Sequence, residues 1–163
     1  MHDCLIKPTL YVDVDGVISL WDFPQLARPR GSFITVDGIV HYLSGEAARH
    51  LRNLARSFDL IWCTGWEETA NVYLPQALKL GRSLPYLLLE HGAGPASKRA
   101  AIDLDRALNR PFAWIDDNHD AACADWAMTR GVPALLVTTD HSTGLTQTEA
   151  DLLSNWAQTI ATG

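Results

Sequence analysis

Residues 9–19 read TLYVDVDGVIS and place two aspartates, Asp13 and Asp15, where a short apolar run meets Gly16. The apolar run at residues 10–12 predicts a buried β-strand. In open α/β sheets, ligands bind beyond the carboxyl ends of the strands. This stretch therefore predicts an α/β fold with both carboxylates at the edge of the sheet that carries the chemistry.

The aspartate pair has two interpretations on this stretch alone. Carboxylates this close repel each other, so their proximity favours either a divalent cation or a nucleophile beside an acid. Asp15-Gly16 is also a common hairpin-turn dipeptide, and an ordinary turn is the alternative. An EF-hand loop is disfavoured, because such a loop needs acids at alternating positions and apolar residues follow here at Val17, Ile18 and Leu20.

The composition of the chain limits the classes of protein it can be. With 163 residues, 47% hydrophobic and 20% charged, it is expected to form a single domain over residues 1–163 with a sizeable core. A formal net charge of -6 argues against a non-specific nucleic-acid binder, which needs clustered Lys and Arg to contact phosphates. A small anionic substrate held by a metal ion and one lysine is compatible with this charge.

Cysteine usage and the first residues of the chain predict a cytoplasmic protein. Cys4, Cys63 and Cys123 are odd in number, widely spaced and form no CxxC pair, so neither a disulfide framework nor a zinc site is indicated. The opening residues MHDCLIKP contain an early acid and no long apolar stretch, which predicts neither a signal peptide nor a membrane span.

Strand-like runs alternate with helical patterns along the chain, which predicts a doubly wound parallel sheet of five strands. The predicted strands are residues 10–14, 59–63, 84–89, 112–116 and 134–138. The predicted helices are residues 45–56, 67–80 with an interruption at Pro75, 97–108 with Ser97 as the N-cap, 119–130 with Gly131 at C′, and 146–160 with a capping box of Thr146 and Glu149.

A predicted β-hairpin departs from this alternation. Residues 33–36 and 39–42 flank Asp37-Gly38, a dipeptide typical of a type I′ turn. The hairpin belongs to an insert at about residues 19–44, shortly after the first strand. It would either hang over the active end of that strand as a flap or pack against the domain without a functional role.

Three further polar features lie at the ends of predicted elements. Asp116 and Asp117 end the fourth strand, Thr64 directly follows the second, and Lys98 lies in the first turn of the helix before the fourth. Each has an ordinary explanation when taken alone, as a helix cap, a strand-end residue or a solvated charge. Parallel strands place their carboxyl ends at one edge of a sheet, so together these features favour a site around Asp13.

In this order the four features resemble the motifs of the haloacid dehalogenase (HAD) superfamily. Residues 13–17 (DVDGV) match its first motif, Thr64 the second, Lys98 the third, and Asp116 with Asp117 the fourth. The resemblance implies a Rossmann-like core with strand order 5-4-1-2-3 and a squiggle and flap after strand 1. The short insert resembles the small capless (C0-like) phosphatase type.

Within the superfamily, the chain resembles short bacterial HAD-like proteins and the HAD modules of RNA repair systems. The resemblance rests on the TGW segment at residues 64–66, Ala70-Asn71 after it, the WIDDN segment at residues 114–118, and TTDHSTGLT near the C-terminus. It implies a small phosphorylated substrate, with a nucleotide or a nucleic-acid end as further possibilities.

The resemblance also implies a role for each matching residue. Asp13 is the expected nucleophile that forms an aspartyl-phosphate, and Asp15 the general acid and base. Thr64 and Lys98 are expected to hold the phosphoryl oxygens. The remaining expectations are Mg²⁺ as cofactor, substrate contacts from Gly65 and Trp66, and metal ligands from Asp13, the Asp15 backbone carbonyl, Asp116 and Asp117.

Two other functions stay open beside a general phosphatase. A halide leaving group needs no proton, so Asp15 favours phosphoester over dehalogenase chemistry. The first alternative is an RNA 3′-end phosphatase acting with repair partners. The second is a non-catalytic HAD-like domain that binds a phosphorylated ligand or a protein.

Overall fold

A parallel sheet with helices on both faces organises the protein. The computed structural model describes residues 6–105 and 109–163. Its strands are β1 (Thr9–Val12), β2 (Gly31–Val36), β3 (Ile39–Ser44), β4 (Asp59–Trp62), β5 (Phe112–Asp116) and β6 (Ala134–Thr138). Its α-helices are α1 (Gly45–Leu54), α2 (Thr69–Ala77), α3 (Pro95–Leu104), α4 (Ala121–Met128) and α5 (Gln147–Thr162).

The central sheet contains four strands in the order β4-β1-β5-β6, and every neighbouring pair is parallel. Strands β1 and β5 lie in the middle and are buried on both faces, as expected from their nearly continuous apolar sequences. The carboxyl end of β1 therefore lies between those of β4 and β5. Residues that follow these three strands meet at one edge of the sheet.

Alternating side chains of the strands enter two separate cores. Leu10 and Val12 of β1 join a core with residues of α1, α2 and α5, whereas Tyr11 joins a core with residues of α3 and α4. Because successive strand residues point to opposite faces, the continuous apolar run supplies both cores at once. This arrangement confirms the predicted α/β class with helices on both sides of the sheet.

The predicted third strand, residues 84–89, is wrong in its extent. The four strands that form keep the predicted order 5-4-1-2, and the complete five-strand order 5-4-1-2-3 is not confirmed. Residues 84–89 lie beside β4, but they contribute a single parallel bridge, between Trp62 and Tyr86. The backbone N–H of Trp62 donates to the Pro85 carbonyl at 2.8 Å, and that of Leu87 donates to Trp62 at 2.9 Å. Proline has no N–H to continue a ladder, which confines this run to an edge position without a regular strand.

Two predicted helices also need correction, one in its predicted interruption and one in its ends. Helix α2 runs through Pro75 without the predicted interruption. Helix α3 begins at Pro95 after the N-cap Gly94, so Ser97 lies inside the first turn, and it ends at Leu104 rather than near residue 108. Proline at the first helical position is favourable because its missing N–H would have no partner there. Residues 106–108 of the predicted helix lie outside the described residues.

The other predicted helices form with shifted ends. Helix α4 spans Ala121–Met128 and begins after Asp120, whose carboxylate accepts from the backbone of Ala122 at 3.1 Å. The predicted capping box of α5 is confirmed, with Glu149 accepting from the Thr146 backbone N–H at 2.9 Å. Among the described residues, no helix combines the length and apolar character needed to cross a membrane.

The predicted hairpin forms from the antiparallel strands β2 and β3. Its turn residues Asp37 and Gly38 have φ angles of 49° and 82°, as a type I′ turn requires. The hairpin is tied to the loop after β1, because Leu20 N–H donates to Tyr42 at 2.9 Å and Ser44 N–H donates to Ile18 at 2.8 Å. These bonds hold β3 close to the carboxyl end of β1.

Candidate active site

A buried lysine between two buried carboxylates forms the centre of the site. The Nζ atom of Lys98 lies 3.1 Å from Asp13 Oδ2 and 2.6 Å from Asp116 Oδ2. The three side chains are between 1% and 5% exposed. Asp13 follows β1, Asp116 ends β5 and Lys98 lies in α3, so the fold joins three of the predicted motifs in one contact.

Backbone and indole groups fix the orientation of the two carboxylates. Asp13 Oδ1 accepts from the Val14 N–H at 2.8 Å, and Asp116 Oδ1 accepts from the Asn118 N–H at 3.0 Å. The indole of Trp114 donates to Asp116 Oδ2 at 3.2 Å. Trp114 precedes Asp116 by two residues on β5 and so shares its face of the strand.

Asp117 completes a set of oxygen donors that fits a hard divalent cation. One carboxylate oxygen from each of Asp13, Asp116 and Asp117 lies within 4.8 Å of the other two. Mg²⁺ prefers carboxylate and water oxygens, so the chemistry of these donors suits it. The Asp15 carboxylate is outside this group, and the predicted contribution of Asp15 through its backbone carbonyl remains a prediction.

The carboxylates of Asp13 and Asp116 share a single ammonium group, that of Lys98. Burial, followed by repulsion from Asp116, raises the pKa of Asp13 well above its usual value of 3.8. The same two causes raise the pKa of Asp117 to about 6. Burial alone would lower the pKa of Lys98, but attraction to Asp13 and Asp116 outweighs it and raises that pKa. An added cation would relieve the repulsion and favour the ionised carboxylates.

Gly16 allows the loop after β1 to approach Asp117. Its φ is 80°, and a Cβ at this position would lie 2.3 Å from both Cγ and Oδ2 of Asp117. The Gly16 carbonyl accepts from the Thr139 hydroxyl at 2.7 Å, which fixes the loop from the opposite side. The glycine of the DVDGV stretch is thus required both by backbone conformation and by close packing.

Gly16→Ala is expected to destabilise the protein and to weaken Mg²⁺ binding. The left-handed conformation costs about 1–2 kcal/mol for a residue with a Cβ. The methyl group would also displace the Asp117 carboxylate from the donor set. Urea unfolding and Mg²⁺ titration by calorimetry would measure the two effects.

Gly38→Ala provides the matched control for Gly16→Ala. Gly38 has nearly the same φ, 82°, but a Cβ there would meet no atom within 4 Å. This variant should show the conformational cost alone and bind Mg²⁺ as the wild type does. Equal Mg²⁺ affinities in the two variants would contradict the close packing of Gly16 on Asp117.

Thr64 and Gly65 occupy the predicted place directly after β4. Thr64 is fully buried, and its hydroxyl accepts from the Trp66 N–H at 3.2 Å. A Cβ on Gly65 would lie 2.9 Å from that of Ala93, so this loop packs closely against the segment before α3. Both residues follow the strand next to β1, at the sheet edge that carries Asp13.

Asp15 lies on the outer side of the site, next to the hairpin. Its carboxylate is 48% exposed and lies 3.8 Å from Nδ1 of His41 on β3. The indole N–H of Trp66 donates to Asp15 Oδ2 at 3.1 Å. The structure thus separates the two aspartates of the DVD stretch, with Asp13 buried against Lys98 and Asp15 facing solvent between two aromatic rings.

The sequence did not predict three contacts in the site: Trp114 with Asp116, and Asp15 with both Trp66 and His41. The spacing of Trp114 and Asp116 along one strand could have indicated their contact, because residues two apart share a face. No local pattern indicates the contact of His41 with Asp15, since it depends on how the hairpin docks onto the loop after β1.

Comparisons with known proteins agree with this arrangement of motifs. A family model described as "HAD domain in Swiss Army Knife RNA repair proteins" matches residues 9–150. No curated protein and no solved structure gives a significant match. The matched range includes β1, the hairpin, and the residues of all four motifs. Since it covers most of the 163 residues, the chain belongs to this family of HAD domains from RNA repair proteins.

Proposed function

We propose that the protein is a Mg²⁺-dependent phosphomonoester hydrolase that acts through an aspartyl-phosphate on Asp13. Membership in a HAD family supports a hydrolase-type function. The observation that carries the finer proposal is the contact of Lys98 with Asp13 and Asp116. A buried nucleophile beside a fixed positive charge suits phosphoryl transfer, which depends mainly on positioning and on charge stabilisation.

In the proposed reaction Asp13 forms the bond to phosphorus, and Asp15 transfers the protons. An Asp13 oxygen forms a bond to phosphorus while the P–O bond to the leaving group breaks, and the leaving oxygen takes a proton from Asp15. Asp15 then takes a proton from a water whose oxygen attacks phosphorus. This second attack breaks the bond to Asp13 and releases inorganic phosphate. The exposure of the Asp15 carboxylate supports this role, because the group can reach both the leaving group and water.

Lys98, Thr64 and Gly65 are proposed to receive the phosphoryl group. The ammonium of Lys98 already contacts Asp13, so it lies where charge develops during attack. The Thr64 hydroxyl and the backbone N–H groups of its loop can donate to phosphoryl oxygens. Trp66, next in this loop, is the predicted substrate contact at the rim of the site.

Asp13, Asp116 and Asp117 would hold the cation, together with the Asp15 carbonyl. Bound Mg²⁺ would neutralise charge on the phosphoryl oxygens and on the surrounding carboxylates. The short insert supports the capless type, in which the hairpin would form one wall of the substrate site.

Mg²⁺ is expected to raise the melting temperature of the protein, and more so at pH 7.5 than at pH 5. Saturation at 100 times Kd stabilises a protein by about 2.7 kcal/mol. For a domain of this size that corresponds to a shift of roughly 5–10 °C. Thermal unfolding with Mg²⁺ or EDTA at the two pH values measures the difference.

The pH dependence follows from the raised pKa values of Asp13 and Asp117. Their folded carboxyls hold protons to higher pH than the unfolded chain does, so metal-free stability falls as pH rises above 3.8 and through the folded pKa of each group, which is about 6 for Asp117. Ligation requires the ionised groups, so Mg²⁺ restores stability mainly above this window. Asp117→Asn should reduce the Mg²⁺ shift, whereas Asp125→Asn on the exposed surface of α4 should not. An equal shift at both pH values in the wild type would contradict the assignment.

A nucleic-acid end is the substrate class favoured by the family description, which refers to RNA repair proteins. The net charge of -6 argues against extensive backbone contacts, so recognition would be confined to the terminal nucleotides. Under this proposal, a 3′-phosphorylated oligonucleotide would be dephosphorylated with higher kcat/KM than small phosphomonoesters.

Phosphate release across a substrate panel tests the proposed function. The panel comprises p-nitrophenyl phosphate, nucleotides, sugar phosphates and phosphorylated oligonucleotide ends, each with Mg²⁺ and with EDTA. Mg²⁺-dependent release from at least one phosphomonoester is the expected result. Binding of these compounds without any release would instead support a non-catalytic domain.

A further inference from the structure

The indole N–H of Trp66 forms a hydrogen bond within the protein. It donates to Asp15 Oδ2 at 3.1 Å, across 51 positions of sequence. The Asp15 side chain is 48% exposed, so burial alone does not order its carboxylate. A directional hydrogen bond from a bulky, half-buried ring therefore restricts the rotamers that Asp15 can adopt.

His41 holds the Trp66 ring from the hairpin side. The two rings lie 4.6 Å apart between centroids at an interplanar angle of 59°. Nδ1 of His41 is 3.0 Å from the Ser19 hydroxyl, and the Ser19 backbone bridges to both Asp15 and Leu43. Asp15 thus lies between two rings from separate elements, one on the loop after β4 and one on β3.

We propose that Trp66, supported by His41, is a positioning residue for proton transfer by Asp15. The inference rests on the proposed phosphatase function, within which Trp66 orients the Asp15 carboxyl group. Because Oδ2 accepts from the indole, Oδ1 is the oxygen left free to carry a proton for the leaving group. That proton moves from Oδ1 to the ester oxygen as the bond from phosphorus to that oxygen breaks. The sequence-based prediction for Trp66 was instead direct contact with substrate.

The proposed role makes the effect of Trp66 depend on the leaving group. A nitrophenolate is a weak base and departs with little help from an acid. An alkoxide is a strong base and needs its proton as the bond breaks. A residue that only orients Asp15 should therefore lower kcat/KM, which reports the steps up to departure of the leaving group, much more for alkyl phosphates than for nitrophenyl phosphate. Hydrolysis of the aspartyl-phosphate, in which Asp15 acts as base, is common to both esters and should slow equally.

Trp66→Phe tests this expectation because it keeps an aromatic ring and removes the N–H. The expected loss of kcat/KM is about 10-fold or more for glycerol phosphate and less than about threefold for p-nitrophenyl phosphate. Trp156→Phe is the matched control, since Trp156 lies on α5 and stacks on Phe58 before the amino end of β4, with 6.2 Å between ring centroids. This control should retain wild-type rates on both esters.

Two additional variants separate positioning from loss of folding. In an Asp15→Asn background, Trp66→Phe should cause no further loss on glycerol phosphate, because its effect passes through Asp15. His41→Ala removes the supporting ring without altering Trp66, and it should show a smaller loss with the same dependence on leaving group. His41→Ala also provides the test if Trp66→Phe fails to fold.

The outcomes distinguish this inference from the function on which it rests. Equal losses of kcat/KM on both esters, additive losses in the double variant, or a raised KM with unchanged kcat would overturn the positioning role. The last of these results would favour direct substrate contact by Trp66. Absence of Mg²⁺-dependent phosphate release by the wild type would overturn the proposed phosphatase function as well.

Discussion

Asp13→Asn is expected to abolish Mg²⁺-dependent phosphate release, with a loss on the order of 10⁴-fold or more in kcat. An amide cannot form the aspartyl-phosphate, although it has nearly the same shape as the carboxylate. The substitution also removes a charge whose burial raises its pKa, so metal-free stability should be equal to or above that of the wild type. Single-turnover phosphate release and urea unfolding would measure both properties.

A control at the surface tests whether the loss of phosphate release is specific to position 13. Asp125→Asn makes the same chemical change at an exposed position of α4 and should retain wild-type rates. Near-ultraviolet circular dichroism would establish that both variants keep their tertiary packing. Substantial turnover by folded Asp13→Asn would show that the reaction does not require a covalent intermediate on this residue.

Lys98→Met is expected to produce the largest loss of stability among the substitutions considered. The change leaves the carboxylates of Asp13 and Asp116 buried without the ammonium group that contacts both. Removal of one partner from a buried ion pair typically costs about 3–5 kcal/mol. Urea unfolding in EDTA would measure the loss, and phosphate release should fall because the proposed phosphoryl contact is removed.

Mg²⁺ should recover part of the stability lost in Lys98→Met, because a cation at the same carboxylates replaces some of the missing positive charge. Lys7→Met is the control: the Lys7 ammonium makes an exposed contact with the Ala55 carbonyl at 3.3 Å. We expect this control to change stability by less than about 0.5 kcal/mol. Equal losses of stability in Lys98→Met and Lys7→Met would be incompatible with a Lys98 ammonium group buried between Asp13 and Asp116.

The strands of the sheet were largely predictable because the apolar runs are long and end at polar residues. Four predicted runs form the parallel sheet. The predicted third strand, residues 84–89, forms one bridge to β4 because Pro85 within it has no N–H to donate to a ladder. Pro75 shows the reverse effect, since tertiary packing keeps α2 continuous where local sequence predicted an interruption.

The buried part of the site was also predictable, as far as residue types and element ends allowed. Asp13, Lys98, Asp116 and Asp117 come together because parallel strands place their ends at one edge of the sheet. The contacts of Asp15 were not predictable. They depend on the docking of the hairpin and on the direction of the Trp66 ring, neither of which leaves a periodic signal in the sequence.

The sequence by itself determined the α/β class, the hairpin turn, and the order of the four motifs that identify a HAD domain. These properties depend on local patterns of apolar residues, glycine and acids. Only the tertiary structure decided which side chains contact each other: Lys98 lies between Asp13 and Asp116, and Asp15 accepts from Trp66. Such contacts join distant parts of the chain, so strand order and packing set them. The two aspartates of the opening stretch thereby lie in different surroundings, one buried and one half-exposed.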